Sequence, residues 1–143
     1  MNNYGFIRTA AAVPSVRVAD TAYNTDQICS LIANATENQV SIAVFPELCI
    51  TGSTCGDLFR QTTLIKGAEE GVRKLADFCS STKTTVVVGA PVSYGGRLYD
   101  CSIVISKGEI LGIVPKVNLA QGQERIFSSG EDFLSGETWE IRY

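Results

Sequence analysis

Each of the chain's four prolines ends a short run of apolar residues. Proline has no backbone N–H and is disfavoured inside a sheet, so it commonly closes a strand. The runs are short and largely apolar, as buried strands are. We therefore predict strands over residues 5–13, 40–45, 84–89 and 110–114, and a further strand over 98–106.

Two longer segments between these runs carry a helical pattern instead. In the first, apolar residues within 28–35 recur at i, i+3, i+4 and i+7, which places them on one face of a helix. Asp20 or Thr21 can cap its amino terminus, so we predict a helix from there to about residue 38. The same kind of spacing predicts a second helix over 59–80.

The order of these elements predicts an α/β fold with a mixed sheet. Strands that alternate with helices indicate parallel crossovers, and the short turn at 107–109 indicates an antiparallel hairpin. Residues 117–136 are polar and irregular, and 137–142 resemble one more strand. Because no linker divides the chain, we expect one unit over 1–143 with both helices on one face of the sheet.

Histidine is absent from the 143 residues, which excludes whole classes of chemistry. Neither a Ser-His-Asp or Cys-His catalytic group nor a histidine-ligated metal site can form within the chain. Twelve basic and 15 acidic residues give a net charge of −3, which argues against a nucleic-acid partner. The sequence shows no signal peptide and no stretch of 18 apolar residues, so we expect a cytoplasmic protein with no membrane partner.

The five cysteines are scattered along the chain and include no C-x-x-C pair. An odd, scattered set in a chain of this length predicts neither a disulfide framework nor a zinc or thioredoxin motif. Cys79 lies on the apolar face of the second predicted helix, where we expect it to fill the core. We predict no metal site in this chain.

Two charged residues each follow an apolar strand and a proline: Glu47 and Lys116. The carboxyl ends of strands are where open α/β sheets bind ligands. There a partly desolvated glutamate can act as a general base, and a lysine beside it can stabilise an oxyanion. The alternatives are that Glu47 caps a loop or pairs with a lysine, and that Lys116 is an ordinary surface lysine.

With these motifs the chain resembles the nitrilase (carbon–nitrogen hydrolase) superfamily, which uses a Glu-Lys-Cys triad. The resemblance implies that Glu47 is the general base, that Lys116 stabilises the oxyanion, and that the chain forms part of an α-β-β-α sandwich. Residues 45–59 read FPELCITGSTCGDLF. They look like the FPEL-x-x-TGYTCGDLF stretch of the amino-terminal glutaminase domain of glutamine-dependent NAD synthetases.

The sequence departs from that pattern in three places. No cysteine follows Cys101, so the resemblance implies a chain that stops before its nucleophile, and neither Cys49 nor Cys55 matches that nucleophile. Ser53 stands where the family has a tyrosine, and is a candidate substrate-binding residue. Glu124 is the nearest candidate for the family's auxiliary catalytic glutamate.

The resemblance implies hydrolysis of the glutamine amide, which supplies ammonia to a synthetase domain of the same polypeptide for conversion of nicotinic acid adenine dinucleotide to NAD. ATP and magnesium are implied only for that domain; this chain is expected to hold no cofactor and to be inactive alone. Two alternatives are an amidase or carbamoylase of another nitrilase branch, and a non-catalytic assembly or binding module. Half a sandwich leaves a bare sheet face, so we expect a homo-oligomer.

Overall fold

The computed structural model of the protein describes residues 5–133. The strand predicted over 137–142 lies outside the described residues. Short 3₁₀ segments occur at Gly56–Arg60, Gln123–Arg125 and Gly130–Phe133. The helices are α1 (Thr21–Glu37) and α2 (Thr62–Cys79), and the strands are β1 (Thr9–Ala11), β2 (Ile42–Val44), β3 (Thr85–Tyr94), β4 (Arg97–Ser106) and β5 (Glu109–Pro115).

The five strands form one mixed sheet in the order β1-β2-β3-β4-β5. The pairs β1–β2 and β2–β3 are parallel, whereas β3–β4 and β4–β5 are antiparallel. This confirms the predicted α/β class and mixed sheet. Because β4 runs against both of its neighbours, β2, β3 and β5 point the same way and their carboxyl ends share one edge.

Both helices pack on the same face of the sheet. Ile32 of α1 and Leu75 of α2 are buried in one hydrophobic cluster with Val88 of β3 and Ile103 of β4. The amino terminus of α1 is capped by Asp20, whose carboxylate accepts a hydrogen bond from the Tyr23 backbone N–H at 3.1 Å. Periodic apolar residues and a local cap are therefore sufficient to explain why this helix begins where the sequence predicts.

The opposite face of the sheet is largely open within the described residues. Ile42, Val44 and Val114 alternate with the buried positions and are 37%, 45% and 59% exposed. Side chains of a strand alternate between its two faces, so these residues point away from the helices. Packing against the helices therefore does not explain why this face is apolar. Among residues 5–133, this face is therefore exposed, as the resemblance to half of a sandwich implies.

The prediction that β3 stops at residue 89, before Pro91, is wrong. The strand continues to Tyr94 and forms a hairpin with β4 through Gly95 and Gly96. The carbonyls of Val87 and Gly89 accept hydrogen bonds from the β2 side of the sheet, so Pro91, two residues further, directs its nitrogen to that side. Since β2 has already ended there, the missing N–H of proline removes no ladder hydrogen bond.

Other predicted boundaries also change, and the strand predicted over 40–45 is confined to Ile42–Val44 in β2. Of the strand predicted over 5–13, only Thr9–Ala11 pairs, because its neighbour β2 offers only three residues. The helix predicted from residue 59 begins as α2 at Thr62, after the 3₁₀ segment Gly56–Arg60. Phe59 of that segment is buried in a second, smaller hydrophobic cluster. Its place in the apolar pattern therefore reflects its packing in that cluster, although it does not belong to the α-helix.

We expect Asn24→Ala to lower the free energy of unfolding by about 3 kcal/mol, because it leaves buried backbone groups without partners. Asn24 is fully buried; its amide donates to the carbonyls of Arg17 (2.8 Å) and Ile50 (2.9 Å) and accepts from the Arg17 N–H at 2.7 Å. Urea denaturation measures the change. Asn34→Ala, at an exposed position of the same helix, is the matched control and is expected to change stability by under about 0.5 kcal/mol; equal effects of the two substitutions would contradict this account.

Candidate active site

Glu47 is placed by a sharp backbone turn immediately after β2. Leu48, the next residue, has a φ of +50°, a left-handed conformation that is uncommon for a residue with a side chain. The turn crosses β3 at Gly89, where a Cβ atom would overlap the Leu48 nitrogen and lie 2.6 Å from the Pro46 oxygen. The absence of a side chain at Gly89 therefore allows the backbone around Glu47 to lie directly on the sheet.

Lys116 is held by β4 and by the loop that follows it. Its N–H donates to the carbonyl of Asp100 at 2.8 Å, which continues the β4–β5 pairing one residue beyond Pro115. Its own carbonyl accepts from the Gly130 N–H at 2.9 Å, and the Ser129 hydroxyl donates to the Val117 carbonyl at 2.7 Å. These bonds close the base of the 117–129 loop beside Lys116.

The 117–129 loop folds back over the carboxyl edge of the sheet and brings Gln123 to it. Phe127 anchors the loop in the smaller cluster, where its ring meets that of Phe59 edge to face with centroids 5.0 Å apart. The Arg60 guanidinium also donates to the Arg125 carbonyl at 3.2 Å. Gly122, at φ +90°, supplies the left-handed turn before Gln123.

The site consists of Glu47, Lys116 and Gln123, joined by short hydrogen bonds. The Lys116 ammonium donates to Glu47 Oε1 at 2.9 Å and to Gln123 Oε1 at 3.0 Å. The Gln123 amide nitrogen donates to the same Glu47 oxygen at 2.7 Å. The strand-end residues identified in the sequence thus meet across 69 positions of chain.

The orientation of the Gln123 carboxamide is determined by its partners. Its nitrogen faces a carboxylate, which only accepts hydrogen bonds, and its oxygen faces an ammonium, which only donates them. The Ala120 N–H also donates to that oxygen, at 2.9 Å. The site therefore holds a carboxamide with its nitrogen on Glu47 and its oxygen on Lys116.

Asp100 adds a second carboxyl group beneath this cluster. It lies in β4, is 3% exposed, and places Oδ2 at 4.0 Å from the Lys116 ammonium nitrogen. Oδ2 is buried and has no hydrogen-bond partner among the described residues. Burial and the neighbouring Glu47 charge raise the pKa of Asp100 to about 7, although Lys116 opposes the shift.

The pKa of Glu47 moves the other way, to about 2. The main cause is the neighbouring Asp100 carboxyl group, which can donate a hydrogen bond to Glu47 only when it carries a proton. The hydrogen bond from Lys116 comes second, whereas partial burial opposes the shift. The Glu47 side chain is 43% exposed, so the carboxylate also keeps contact with solvent. Glu47 is therefore ionised at neutral pH and has one open side.

All five cysteines are buried, and none joins this cluster. Burial raises the pKa of every one of these thiols, to about 11 for Cys49 and Cys79 and about 12 for Cys101. The Cys49 thiol donates to the Gly89 carbonyl at 3.6 Å, and Cys79 is fully buried in the main core. Cys101 follows Asp100 in β4 and so faces the helices, away from the site. None of the five is positioned or ionised as a nucleophile requires.

The structure places the other two candidate residues outside the hydrogen-bonded cluster. Ser53 is exposed in the turn that follows Gly52. Glu124 is exposed in the 3₁₀ segment Gln123–Arg125, and its neighbour Gln123 is the residue that contacts Glu47. The roles of Ser53 in substrate binding and of Glu124 as an auxiliary group stay predictions.

Sequence reasoning missed Asp100 and Gln123. A signal for Asp100 was present, because it is the one charged residue in the largely apolar run 98–106. Gln123 carried no such signal, since one glutamine in a polar loop is not distinguishable from its neighbours. Its contact depends on how the 117–129 loop closes.

Comparison with known proteins shows the family of this chain. The family model for carbon-nitrogen hydrolases matches residues 8–139. The chain belongs to the carbon–nitrogen hydrolase family. Within the described residues, no three His, Cys, Asp or Glu side chains are grouped to hold a metal ion, and no helix is long and apolar enough to cross a membrane.

Individual relatives refine the match. The glutamine-dependent NAD(+) synthetase of Mycobacterium leprae is 30% identical over 137 residues, which cover 92% of this chain and 20% of that protein. A crystal structure of a glutamine-dependent NAD(+) synthetase from Cytophaga hutchinsonii superposes with a TM-score of 0.81 at 31% identity, covering 86% of this chain and 22% of that one. An amidase from Nesterenkonia sp. has a TM-score of 0.78 at 23% identity, over 87% of this chain and 48% of that one, and shares the fold. The chain thus spans about a fifth of the length of the synthetases that it matches.

We expect Gly89→Ala to lower the free energy of unfolding by about 2–4 kcal/mol, because the added methyl group overlaps the backbone that carries Glu47. Chemical denaturation measures the loss. Gly112→Ala in β5 is the matched control: a Cβ there has no heavy atom within 4 Å, so a change below about 1 kcal/mol is expected. A Gly89→Ala protein as stable as the Gly112→Ala protein would refute the close approach.

Proposed function

We propose that this chain provides the base and the oxyanion-stabilising lysine of a cysteine-dependent site that hydrolyses the side-chain amide of glutamine. The observation that carries this proposal is the Gln123 carboxamide, held with its nitrogen on Glu47 and its oxygen on Lys116. A substrate amide bound in the same orientation would have its leaving nitrogen at the base. The oxygen that gains negative charge would lie at the ammonium.

In this proposal Glu47 takes the proton of the cysteine thiol, and the sulfur attacks the amide carbon. Lys116 stabilises the tetrahedral oxyanion, and the protonated Glu47 passes its proton to the departing ammonia. Water then attacks the thioester, with Glu47 again acting as base, and glutamate is released. The ionised state of Glu47 at neutral pH is the state that the first step requires.

We infer that the nucleophilic cysteine comes from outside these 143 residues. The five thiols of the chain are buried, have raised pKa values and lie away from Glu47. The open face of the sheet leaves the exposed side of Glu47 accessible to another segment. The 143-residue chain alone is therefore expected to be inactive.

Similarity to the glutamine-dependent NAD(+) synthetases favours glutamine as the amide substrate and NAD synthesis as the use of the ammonia. In this proposal a synthetase domain of the same polypeptide carries out the ATP- and magnesium-dependent amidation of nicotinic acid adenine dinucleotide. Similarity to the Nesterenkonia amidase supports the fold only, so an amidase or carbamoylase of another branch is the second candidate. A non-catalytic module is the third, favoured by the lack of a reactive thiol.

Glutamate release by the longest natural reading frame that contains these residues tests the proposal. We expect Glu47→Gln and Lys116→Met each to lower kcat/KM by about 10²–10⁴-fold, since they remove the base and the oxyanion partner. Glu109→Gln, an exposed glutamate at the start of β5, is the matched control and should leave the rate within about twofold.

The same assay separates the three candidates. Hydrolysis of simple amides in preference to glutamine would favour the amidase branch. A reading frame that ends without a further cysteine, together with no hydrolysis of any amide, would favour the non-catalytic module. Glutamate release by the 143-residue chain that is abolished by Glu47→Gln would overturn the inference that the nucleophile lies outside it.

We also propose that the 143-residue chain forms a dimer or larger assembly through its open sheet face. Contiguous exposed apolar surface of this kind favours association. Sedimentation velocity should show a larger species that Val44→Glu shifts toward monomer, whereas Lys83→Glu, at an exposed position outside that face, should not. A monomer at high concentration would contradict the proposal.

A further inference from the structure

Asp100 occupies an unusual position for a carboxylate. In β4 it lies opposite Pro91 of β3, and its carbonyl accepts from the Lys116 N–H, so its place at the carboxyl edge is set by backbone pairing on both sides. Its neighbours in the strand, Tyr99 and Cys101, are buried with the helices. By alternation Asp100 lies on the other face, where its Oδ2 is 4.0 Å from the Lys116 ammonium nitrogen.

Two ionised carboxylates at this position would have too few hydrogen-bond donors and too little positive charge around them. Glu47 and Asp100 are two carboxyl groups close to one cation, the Lys116 ammonium. If both were ionised, the group would carry a net negative charge around a side chain that is 3% exposed. The buried Oδ2 of Asp100 would also be an acceptor with no donor, because two ionised carboxylates cannot hydrogen-bond to each other.

A single proton on Asp100 removes both the excess negative charge and the missing hydrogen-bond donor. We propose that Asp100 is a positioning residue for Glu47: on the acidic side of neutral pH its carboxyl group keeps a proton and donates it in a hydrogen bond to the Glu47 carboxylate. The trio then carries one negative charge on Glu47 and one positive charge on Lys116. The importance of this bond for catalysis rests on the proposed function, but the bond itself does not.

The electrostatics of the pair agree with this arrangement. Burial raises the pKa of Asp100 to about 7, while a donor at Asp100, together with the hydrogen bond from Lys116, lowers the pKa of Glu47 to about 2. An ordinary aspartate has a pKa near 3.9, so the folded protein retains this proton over a range in which an exposed aspartate has lost it. As the pH rises through about 7, Asp100 ionises and Glu47 loses its donor.

The charged groups that face Asp100 are Glu47, from the end of β2, and Lys116, from the end of β5. Pro91, its cross-strand neighbour on β3, has no charge. Gln123 contacts Glu47 and Lys116 from the 117–129 loop and is uncharged. Among the described residues, the pH dependence of this group is therefore assigned to Asp100, Glu47 and Lys116.

Carbon-13 NMR titration of the side-chain carboxyl groups in the 143-residue chain is the deciding test. We expect Asp100 to titrate at least two pH units above an ordinary aspartate, and Glu47 to titrate at least one unit below an ordinary glutamate. An Asp100 midpoint near 4 would overturn the proposal.

Three variants separate a proton-sharing bond from simple packing. Glu47→Gln should lower the Asp100 pKa by at least one unit, because it removes the neighbouring negative charge. Asp100→Asn keeps a donor and should leave the Glu47 pKa low, whereas Asp100→Leu has none and should raise that pKa by at least one unit. If Glu47 has the same pKa in the Asp100→Asn and Asp100→Leu variants, the hydrogen bond is absent and the proposal fails.

Activity of the longer reading frame provides a second readout. Asp100→Leu should lower kcat at pH 6 at least tenfold, and Asp100→Asn should retain it within threefold. The kcat/KM of Asp100→Asn divided by that of the wild type should rise at least threefold from pH 6 to pH 8.5. The reason is that Asp100 ionises over this range and can no longer donate a hydrogen bond to Glu47, whereas an asparagine amide still can. If neither the wild type nor the variants release glutamate, the proposed function fails, while the NMR titration still decides whether the hydrogen bond exists. A ratio that does not change with pH would refute the positioning role of Asp100.

Discussion

The direction of the strands determines where this site forms. β4 runs against both β3 and β5, so β2, β3 and β5 present their carboxyl ends at one edge of the sheet. Glu47 leaves β2 at that edge and Lys116 leaves β5 there, and they form an ion pair 2.9 Å long across 69 positions of sequence. If β5 ran parallel to β4, its carboxyl end would lie at the opposite edge of the sheet, and Lys116 would be far from Glu47.

The chemistry of the edge follows from a shortage of positive charge. The Lys116 ammonium lies beside the Glu47 carboxylate, the buried Asp100 carboxyl group and the Gln123 carboxamide oxygen. In a partly desolvated place, two unpaired negative charges are costly, so the pKa values of the two acids separate in opposite directions. Glu47 is ionised at neutral pH, and we propose that Asp100 is the acid that keeps a proton.

Local features of the fold were predictable, and features that depend on a neighbouring strand were not. α1 lies at Thr21–Glu37, as predicted, because helical spacing and an amino-terminal cap act over a few residues. β3 passes through Pro91 to Tyr94, against the prediction, because the cost of a missing N–H depends on whether another strand is present to accept it. β1 is short for a similar reason: its pairing is limited by β2.

The site divides in the same way. Glu47 and Lys116 could be identified from the order of residues, because an apolar run followed by proline and one charge marks a strand end whatever surrounds it. Asp100 and Gln123 acquire their roles only when β4 pairs with β5 and the 117–129 loop closes over the edge. Sequence order specifies which groups carry charge and hydrogen-bonding capacity. Their protonation and partners depend on burial and distance, which exist only in the folded chain.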